Sequence, residues 1–243
     1  MTADTDSFAT AGFPVDDRNR VKRLNKRAHY DRATIYPILD TAMLCHIAYV
    51  IDGQPFCTPT AFWREHDTLY WHGSSASRML RAQAGQLSVC LTVTHMDGLV
   101  LARSGFHSSI NYRSVMAFGV ARSIEDAAGK RQAMDAFIGR FFPGRAEALR
   151  PPTGQEVKAT SILAMEIEQA SAKLRTGPPA DDEADFSWPV WAGVIPLRTV
   201  VDAPQDCPRL PAGLTPGGDL ADFAPGRVAD AAYLAAYRRA YGD

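Results

Sequence analysis

Residues 44–63 read LCHIAYVIDGQPFCTPTAFW, and this stretch decides the fold class. Residues 44–51 form an apolar run, Asp52-Gly53 is a tight-turn pair, and residues 55–63 form a second strand-like run. The pattern predicts an antiparallel hairpin. Glu65-His66-Asp67 then turns into a third strand at 68–72. Further on, Leu87, Val89, Leu91 and Val93 alternate with Ser88, Cys90, Thr92 and Thr94, the period of a half-buried strand. Asp97-Gly98 reads as another turn, into residues 99–102, and residues 115–124 and 161–168 supply further strands.

Helices interrupt the series. Asp31 is placed to cap a short helix carrying Ile35, Ile38, Leu39 and Ala42 on one face, and Pro37 keeps it short. Residues 75–84 predict a second helix ending at Gly85. Residues 130–142 predict a third, with Met134, Phe137, Ile138 and Phe141 on one stripe and a stop at Pro143-Gly144. Many short antiparallel strands under a few covering helices indicate a mainly β (α+β) fold, a β-barrel among the options. No G-x-G-x-x-G follows a strand, so a Rossmann site is not indicated.

Composition narrows the function classes. The 243 residues hold 26 Lys+Arg and 27 Asp+Glu, a net charge of -1 that offers no global attraction for nucleic acid or anionic lipid. Residues 38–51, the most apolar stretch, are broken by Asp40 and His46 and fall short of a membrane span. The first ten residues are polar and acidic, unlike a signal peptide, so a soluble cytoplasmic protein is expected. Cys45, Cys57, Cys90 and Cys207 show no C-x-x-C spacing, and the six histidines no metal-binding spacing. Cys45, Cys57 and Cys90 read as small buried thiols, and no metal site is expected.

Three appendages are expected. Residues 1–17 lack periodic apolar spacing and read as a disordered tail. Residues 18–32 carry seven Lys/Arg, a basic arm whose bland reading is a solvated face and whose sharper one is nucleic-acid contact. Residues 203–227 are rich in Pro and Gly, and residues 228–241 set Tyr233, Leu234, Tyr237 and Tyr241 at helical spacing. The resulting division is a tail at 1–17, a domain at 18–202 and an extension at 203–243.

The chemistry concentrates at Leu69-Tyr70-Trp71-His72-Gly73-Ser74-Ser75-Ala76-Ser77-Arg78, a strand running into a helix start. Gly73 permits close backbone approach, the serines offer hydroxyls, and Arg78 is a forked cation suited to phosphate. A plain N-cap and a solvated arginine are the alternative. A second donor-rich stretch, residues 107–114 (HSSINYRS), precedes a strand and leaves Arg113 needing a partner if buried.

At these residues the chain resembles the pyridoxamine 5'-phosphate oxidase-like family of flavin-nucleotide-binding proteins, in particular the branch of nitroimidazole-reductase-type proteins. The resemblance runs from about residue 20 to about residue 201. It is carried by six pieces in order: DRATIYPILD, DGQPFCTP, LYWHGSSASRML, LTVTHMDGLVLARSGFHSSINYRSV, KATSILAMEIEQASAKLRTGPP and PVWAGVIPL. It implies an FMN-binding split β-barrel that forms a homodimer, with FMN at the subunit interface. Carried over by position, Ser74, Ser77 and Arg78 would hold the phosphate, Gly73 would allow its approach, and His72 would lie beside the ribityl chain or ring. Cys57, Thr58, Pro59 and Thr60 would run along the isoalloxazine, and Thr92 would face it. Tyr112, Arg113 and Ser114 would come from the barrel wall, and Trp191 would be an aromatic lid or a hydrophobic anchor.

The same resemblance implies an FMN-dependent oxidoreductase acting on a small molecule, with NAD(P)H as a reductant. The alternatives are a non-catalytic FMN storage or sensing module, and a haem or deazaflavin binder on the same fold, haem calling for an axial residue such as His72 or His107. Met79 stands where the vitamin oxidases carry a basic residue, and the chain's end has no Arg-x-His clamp. Vitamin B6 oxidase activity is therefore not expected.

Overall fold

The computed structural model describes residues 12–242. In chain order its strands are β1 (Ala28–His29), β2 (Leu44–Ile51), β3 (Gln54–Glu65), β4 (Thr68–Ser74), β5 (Leu87–Leu101), β6 (Ser109–Ser123), β7 (Thr160–Glu166), β8 (Gln169–Arg175) and β9 (Gly193–Pro196). The helices are α1 (Arg32–Asp40), α2 (Arg78–Gln83), α3 (Ala127–Phe141), α4 (Gly154–Ala159) and α5 (Ala229–Tyr241). The nine strands join in the order β1-β8-β6-β7-β4-β3-β2-β5-β9. Because β5 also pairs with β6, the pairings from β6 through β7, β4, β3 and β2 to β5 return to β6, the connectivity of a split barrel. No helix among the described residues is long and apolar enough to cross a membrane.

The chain gathers into two compact units, each drawn from separate stretches. The first holds residues up to Ile38, Thr92–Ala117 and Glu168–Arg198; the second holds Leu39–Leu91, Phe118–Ile167 and the residues from Thr199 on. The sequence reading set one domain at 18–202; here β5 and β6 pass from one unit to the other, and the extension belongs to the second.

In the second unit the opening hairpin forms as its residues dictate. Ile51 pairs with Gln54 and Leu44 with Ala61, while Asp52 and Gly53 adopt the positive φ values (49° and 76°) that a two-residue turn of matching twist requires. The barrel interior is filled from alternate positions: Cys45 and Ile47 of β2, Leu69 and Trp71 of β4, Val89 and Leu91 of β5 are all buried. Trp71 also donates its indole N–H to Gln83 at 3.0 Å, so the buried amide of α2 is partly satisfied. On the outer face of the sheet a second apolar layer forms. Trp63, Ile162, Ala133 and Phe141 are its buried centre, with Phe137 and Tyr233 packed against them. Through Tyr233 the C-terminal helix α5 joins this layer, its ring 5.9 Å from Phe141 and 5.6 Å from Phe223.

In the first unit β1 pairs with β8 (Ala28 with Lys173) and β9 with the end of β5 (Gly98 with Pro196). The α1 cap is as expected: the Asp31 carboxylate accepts from Thr34 N–H at 2.8 Å, and Ile35, Ile38 and Leu39 are buried.

Several expectations need correction. Residues 1–11 lie outside the described residues; of the rest of the expected tail, Gly12 bridges to Asp31 and Phe13 is buried, with the Arg32 guanidinium 4.2 Å from its ring centre, while residues 14–17 are exposed. Asp97-Gly98 is no turn. It lies inside the 15-residue strand β5, and Gly98 is there because an added Cβ would come within 3.0 Å of the Ile195 carbonyl on β9. The helix expected at 75–84 starts only at Arg78, and the left-handed residue after it is Gln86, not Gly85. β6 begins at Ser109, so most of the donor-rich stretch is strand. Strands β1, β8 and β9 had no periodic signal long enough to show.

Of the thiols, only Cys45 is fully buried; Cys57 and Cys207 are exposed, the former against expectation. Cys57 and Cys45 sit on opposite faces of the hairpin, and only the Cys45 face looks inward. Burial pushes the Cys45 thiol up to about 12. In the native protein a thiol reagent should therefore label Cys207 and leave Cys45 untouched until denaturant is added. Rapid native labelling of Cys45, read by peptide mass, would contradict this burial.

Candidate flavin site

The second unit brings two of the predicted segments together. On β3, Cys57 and Pro59 are exposed while Thr58 and Thr60 are half-buried, the alternation of a pleated strand. Thr58 shares a hydrogen bond with the Tyr49 hydroxyl at 3.2 Å, and Tyr49 stacks on Phe56 with ring centres 5.5 Å apart. Phe56 in turn seats Arg78, whose guanidinium lies 4.5 Å from the ring centre. No signal in the phosphate-like motif itself pointed to Phe56. Only the hairpin register, which carries residues just past the Asp52-Gly53 turn, places it there.

At the end of β4 the backbone folds tightly. Ser77 N–H donates to the Ser74 carbonyl at 2.9 Å, Ala76 N–H to the Ser74 hydroxyl at 3.2 Å, and Ser75 N–H to the Ala159 carbonyl at 2.8 Å. Ser77 is the N-cap of α2, yet its hydroxyl makes no capping bond. Among the described residues no carboxylate lies within salt-bridge distance of Arg78. A forked cation held on an aromatic ring, with Ser74 and an uncommitted Ser77 hydroxyl beside it in sequence, is a donor set that fits a phosphate. Helix α2 is six residues long, so its terminus adds less than the sequence suggested. Gly73 also has a structural reason: an added Cβ would stand 2.9 Å from Leu80 Cδ1.

His72 is half-buried. Its ring packs edge-on to Phe137, with centres 4.7 Å apart, and 6.2 Å from Trp63, in the layer beneath α3. Burial pushes its pKa below the usual histidine value. The unfolded chain then binds a proton more readily than the native one, so full stability is present above the usual histidine pKa and declines as pH falls through the depressed value. The His72 C2–H should titrate below a free histidine by NMR, and His72→Gln should flatten that acid-side loss in urea melts.

The remaining predicted residues, Thr92, Tyr112, Arg113, Ser114 and Trp191, lie in the first unit. Arg113 has the partner it needed: Asp97 accepts from its Nε at 2.9 Å and from its terminal nitrogen at 2.7 Å. Ser114 donates to the Lys173 carbonyl at 3.3 Å, and Thr92 and Tyr112 are half-buried. Trp191 is 61% exposed, its ring folded over Gly193, where a Cβ would meet it at 2.7 Å. His107 lies with Nε2 3.3 Å from the Asp182 carboxylate. Among the described residues no group of three or more His, Cys, Asp or Glu could hold a metal ion.

A family model described as pyridoxamine 5'-phosphate oxidase matches residues 31–174, more than half of the chain. The chain belongs to the pyridoxamine 5'-phosphate oxidase family. Two solved structures of relatives resemble it over nearly their whole length. One is a flavocytochrome of Azotobacter vinelandii, 45% identical, with a TM-score of 0.81 over 87% of this chain and 98% of that one. The other is an FAD and haem binding protein of Mycobacterium smegmatis, 38% identical, with a TM-score of 0.78 over 82% of this chain and 98% of that one. A Bacteroides thetaiotaomicron protein described by 5-nitroimidazole antibiotic resistance is also similar, at 24% identity and a TM-score of 0.48, and at that distance carries no argument. No curated protein matches the sequence. Within the family the matched region takes in β1's neighbour α1, the hairpin, the Gly73–Arg78 segment and nearly all of β8.

Proposed function

We propose that this chain is a flavin- and haem-binding oxidoreductase, a flavocytochrome of the pyridoxamine 5'-phosphate oxidase family. The observation that carries the flavin half is Arg78 seated on Phe56 with no carboxylate partner among the described residues, beside the Ser74 and Ser77 hydroxyls. The sequence reading named FMN; FAD is the proposed form, because the 38% identical relative is described as binding FAD. When bound, the flavin supplies hydride or single-electron chemistry and the haem iron single-electron chemistry. The protein's part is placement: Arg78 and the serines hold the phosphate end, and the Cys57 to Thr60 strand offers backbone N–H and C=O groups to the ring edge.

If haem binds, His72 would be the residue to hold its iron rather than His107. It is kept neutral by burial, the state that binds iron, and it has no hydrogen-bond partner among the described residues. His107 already has Nε2 against Asp182. Partner and lid are also proposed. The outer face of the β2–β3 hairpin exposes Leu44, Ala48, Val50, Cys57 and Pro59, with His46 among them, a mostly apolar strip suited to a second copy of the chain. Trp191, with its large exposed ring, is the proposed cover for the flavin held by a second copy of the chain.

The test is the absorbance spectrum of purified protein, reconstituted with FMN, FAD and haemin in turn, with mass analysis of what heat releases. A flavin band beside a Soret band is expected; a protein that takes up neither group overturns the reading. Arg78→Ala should weaken flavin binding by about 1.5–3 kcal/mol, roughly 10- to 150-fold in Kd. An unchanged Kd in a fluorescence titration would remove the phosphate assignment. His72→Ala should lose or shift the Soret band while His107→Ala keeps it, and Val50→Asp should turn a dimer into a monomer in light scattering.

A further inference from the structure

The KLRTGPP segment at residues 173–179 ends β8 on the buried Arg175, which is only 7% exposed. Its guanidinium donates to Asn111 Oδ1 at 2.5 Å and to the Pro178 carbonyl at 3.4 Å, both neutral acceptors. Among the described residues no carboxylate reaches it. Three other arginines held inside the fold have an acid, while Arg140 is met by the carbonyls of Asp40 and Tyr233. Arg64 has Asp40, Arg113 has Asp97 and Arg103 has Asp181.

Its neighbours add positive charge. The β1–β8 register sets Ala28 against Lys173 and His29 against Ala172, which carries Arg27 alongside Leu174 and Arg175. Lys173 lies two residues back on the same face of β8, half-buried. Neither Arg27 nor Lys173 has a carboxylate partner among the described residues. Burial first, and then the field of Arg27, push the Arg175 pKa down. Four acids of the unit are engaged elsewhere: Asp97 with Arg113, Asp181 with Arg103, Asp182 with His107 and Glu168 with Arg18. A buried cation beside further cations is costly unless an anion completes it.

We infer that Arg175, with Arg27 and the half-buried Tyr112 beside it, forms an anion site in the first unit that takes the phosphate or carboxylate group of a bound cofactor or substrate. The site stands apart from the Arg78 site in residues and in unit. A purely structural Arg175 would tie down the Gly177-Pro178 turn together with Asn111, whose amide donates to the Gly177 carbonyl at 3.1 Å. That role predicts no response to anions.

The experiment uses the full chain carrying Arg78→Ala, so that the flavin phosphate site is silent. Melting temperature is followed against pyrophosphate, ADP, haemin and haemin dimethyl ester, with sodium chloride matched for ionic strength. A saturable rise with pyrophosphate or ADP assigns a phosphate; a rise with haemin that its ester fails to give assigns a carboxylate. Either supports the site, provided Arg27→Gln, at a half-buried position that should still fold, weakens the response by about tenfold or more. The inference is overturned if no probe raises the melting temperature beyond the salt control, or if Arg27→Gln and Arg175→Lys respond as the parent does. Loss of the response in Arg78→Ala alone would return all anion binding to the flavin site.

Discussion

Asp40→Ala and Arg64→Ala should each lower the unfolding free energy by about 3–5 kcal/mol, because each leaves an uncompensated charge in the interior. Both side chains are about 4–5% exposed, and Asp40 accepts from Arg64 Nε at 2.9 Å and from a terminal nitrogen at 2.5 Å. Burial pushes the Asp40 carboxyl up while Arg64 and Arg140 pull it back. The pair is also a junction. Arg64 donates to the His66 carbonyl at 2.7 Å and to the Tyr237 hydroxyl at 2.7 Å, and Arg140 donates to the Asp40 carbonyl at 2.6 Å. The end of α1, the β3–β4 turn, α3 and α5 thus meet on two charges. The double variant Asp40→Leu/Arg64→Met should lose less than the two alanine losses combined, since neither member of the pair is left facing an empty partner position, although Arg140 keeps only its carbonyl acceptors. Urea melts of the three proteins check this, and strictly additive losses would contradict the coupling.

Gly119→Ala is expected to cost about 3 kcal/mol, the upper end of overpacking, or to prevent folding. Gly119 lies buried on β6, where an added Cβ would stand 2.3 Å from the Glu166 carbonyl and 2.7 Å from Met165 Cγ. A side chain could swing away, but a backbone oxygen in a paired strand can yield only by moving the strand. Gly139→Ala is the matched control, because nothing lies within 4 Å of its added Cβ and it sits inside α3. That change should be neutral or stabilising by up to about 1 kcal/mol. Equal melting temperatures for the two variants would show that β6 and β7 do not approach as closely as described.

These two sites mark where reading the residues reaches its limit. The hairpin at 44–63 was legible because its information is local: alternating side chains and a turn pair that prefers positive φ. The stripe of α3 was legible for the same reason, and so was the phosphate-like segment, whose residue types announce their chemistry. Asp97-Gly98 misled because the same dipeptide serves a turn or a close strand approach, and only β9, about a hundred residues later, selects the second. His72 was assigned by its place in a motif, and strand alternation sends it under α3 toward Phe137.

What the chain determines by itself is therefore the set of short-range choices: β-rich class, hairpin, helix caps, and a cation with hydroxyls at residues 74–78. The tertiary structure decided the partners. It seated Arg78 on Phe56, gave Arg113 to Asp97, drew Arg64 to Asp40, and left Arg175 without an acid among the described residues. The physical reason is that charge compensation and close packing depend on distance in space, and residues far apart in sequence carry no local trace of which of them will meet.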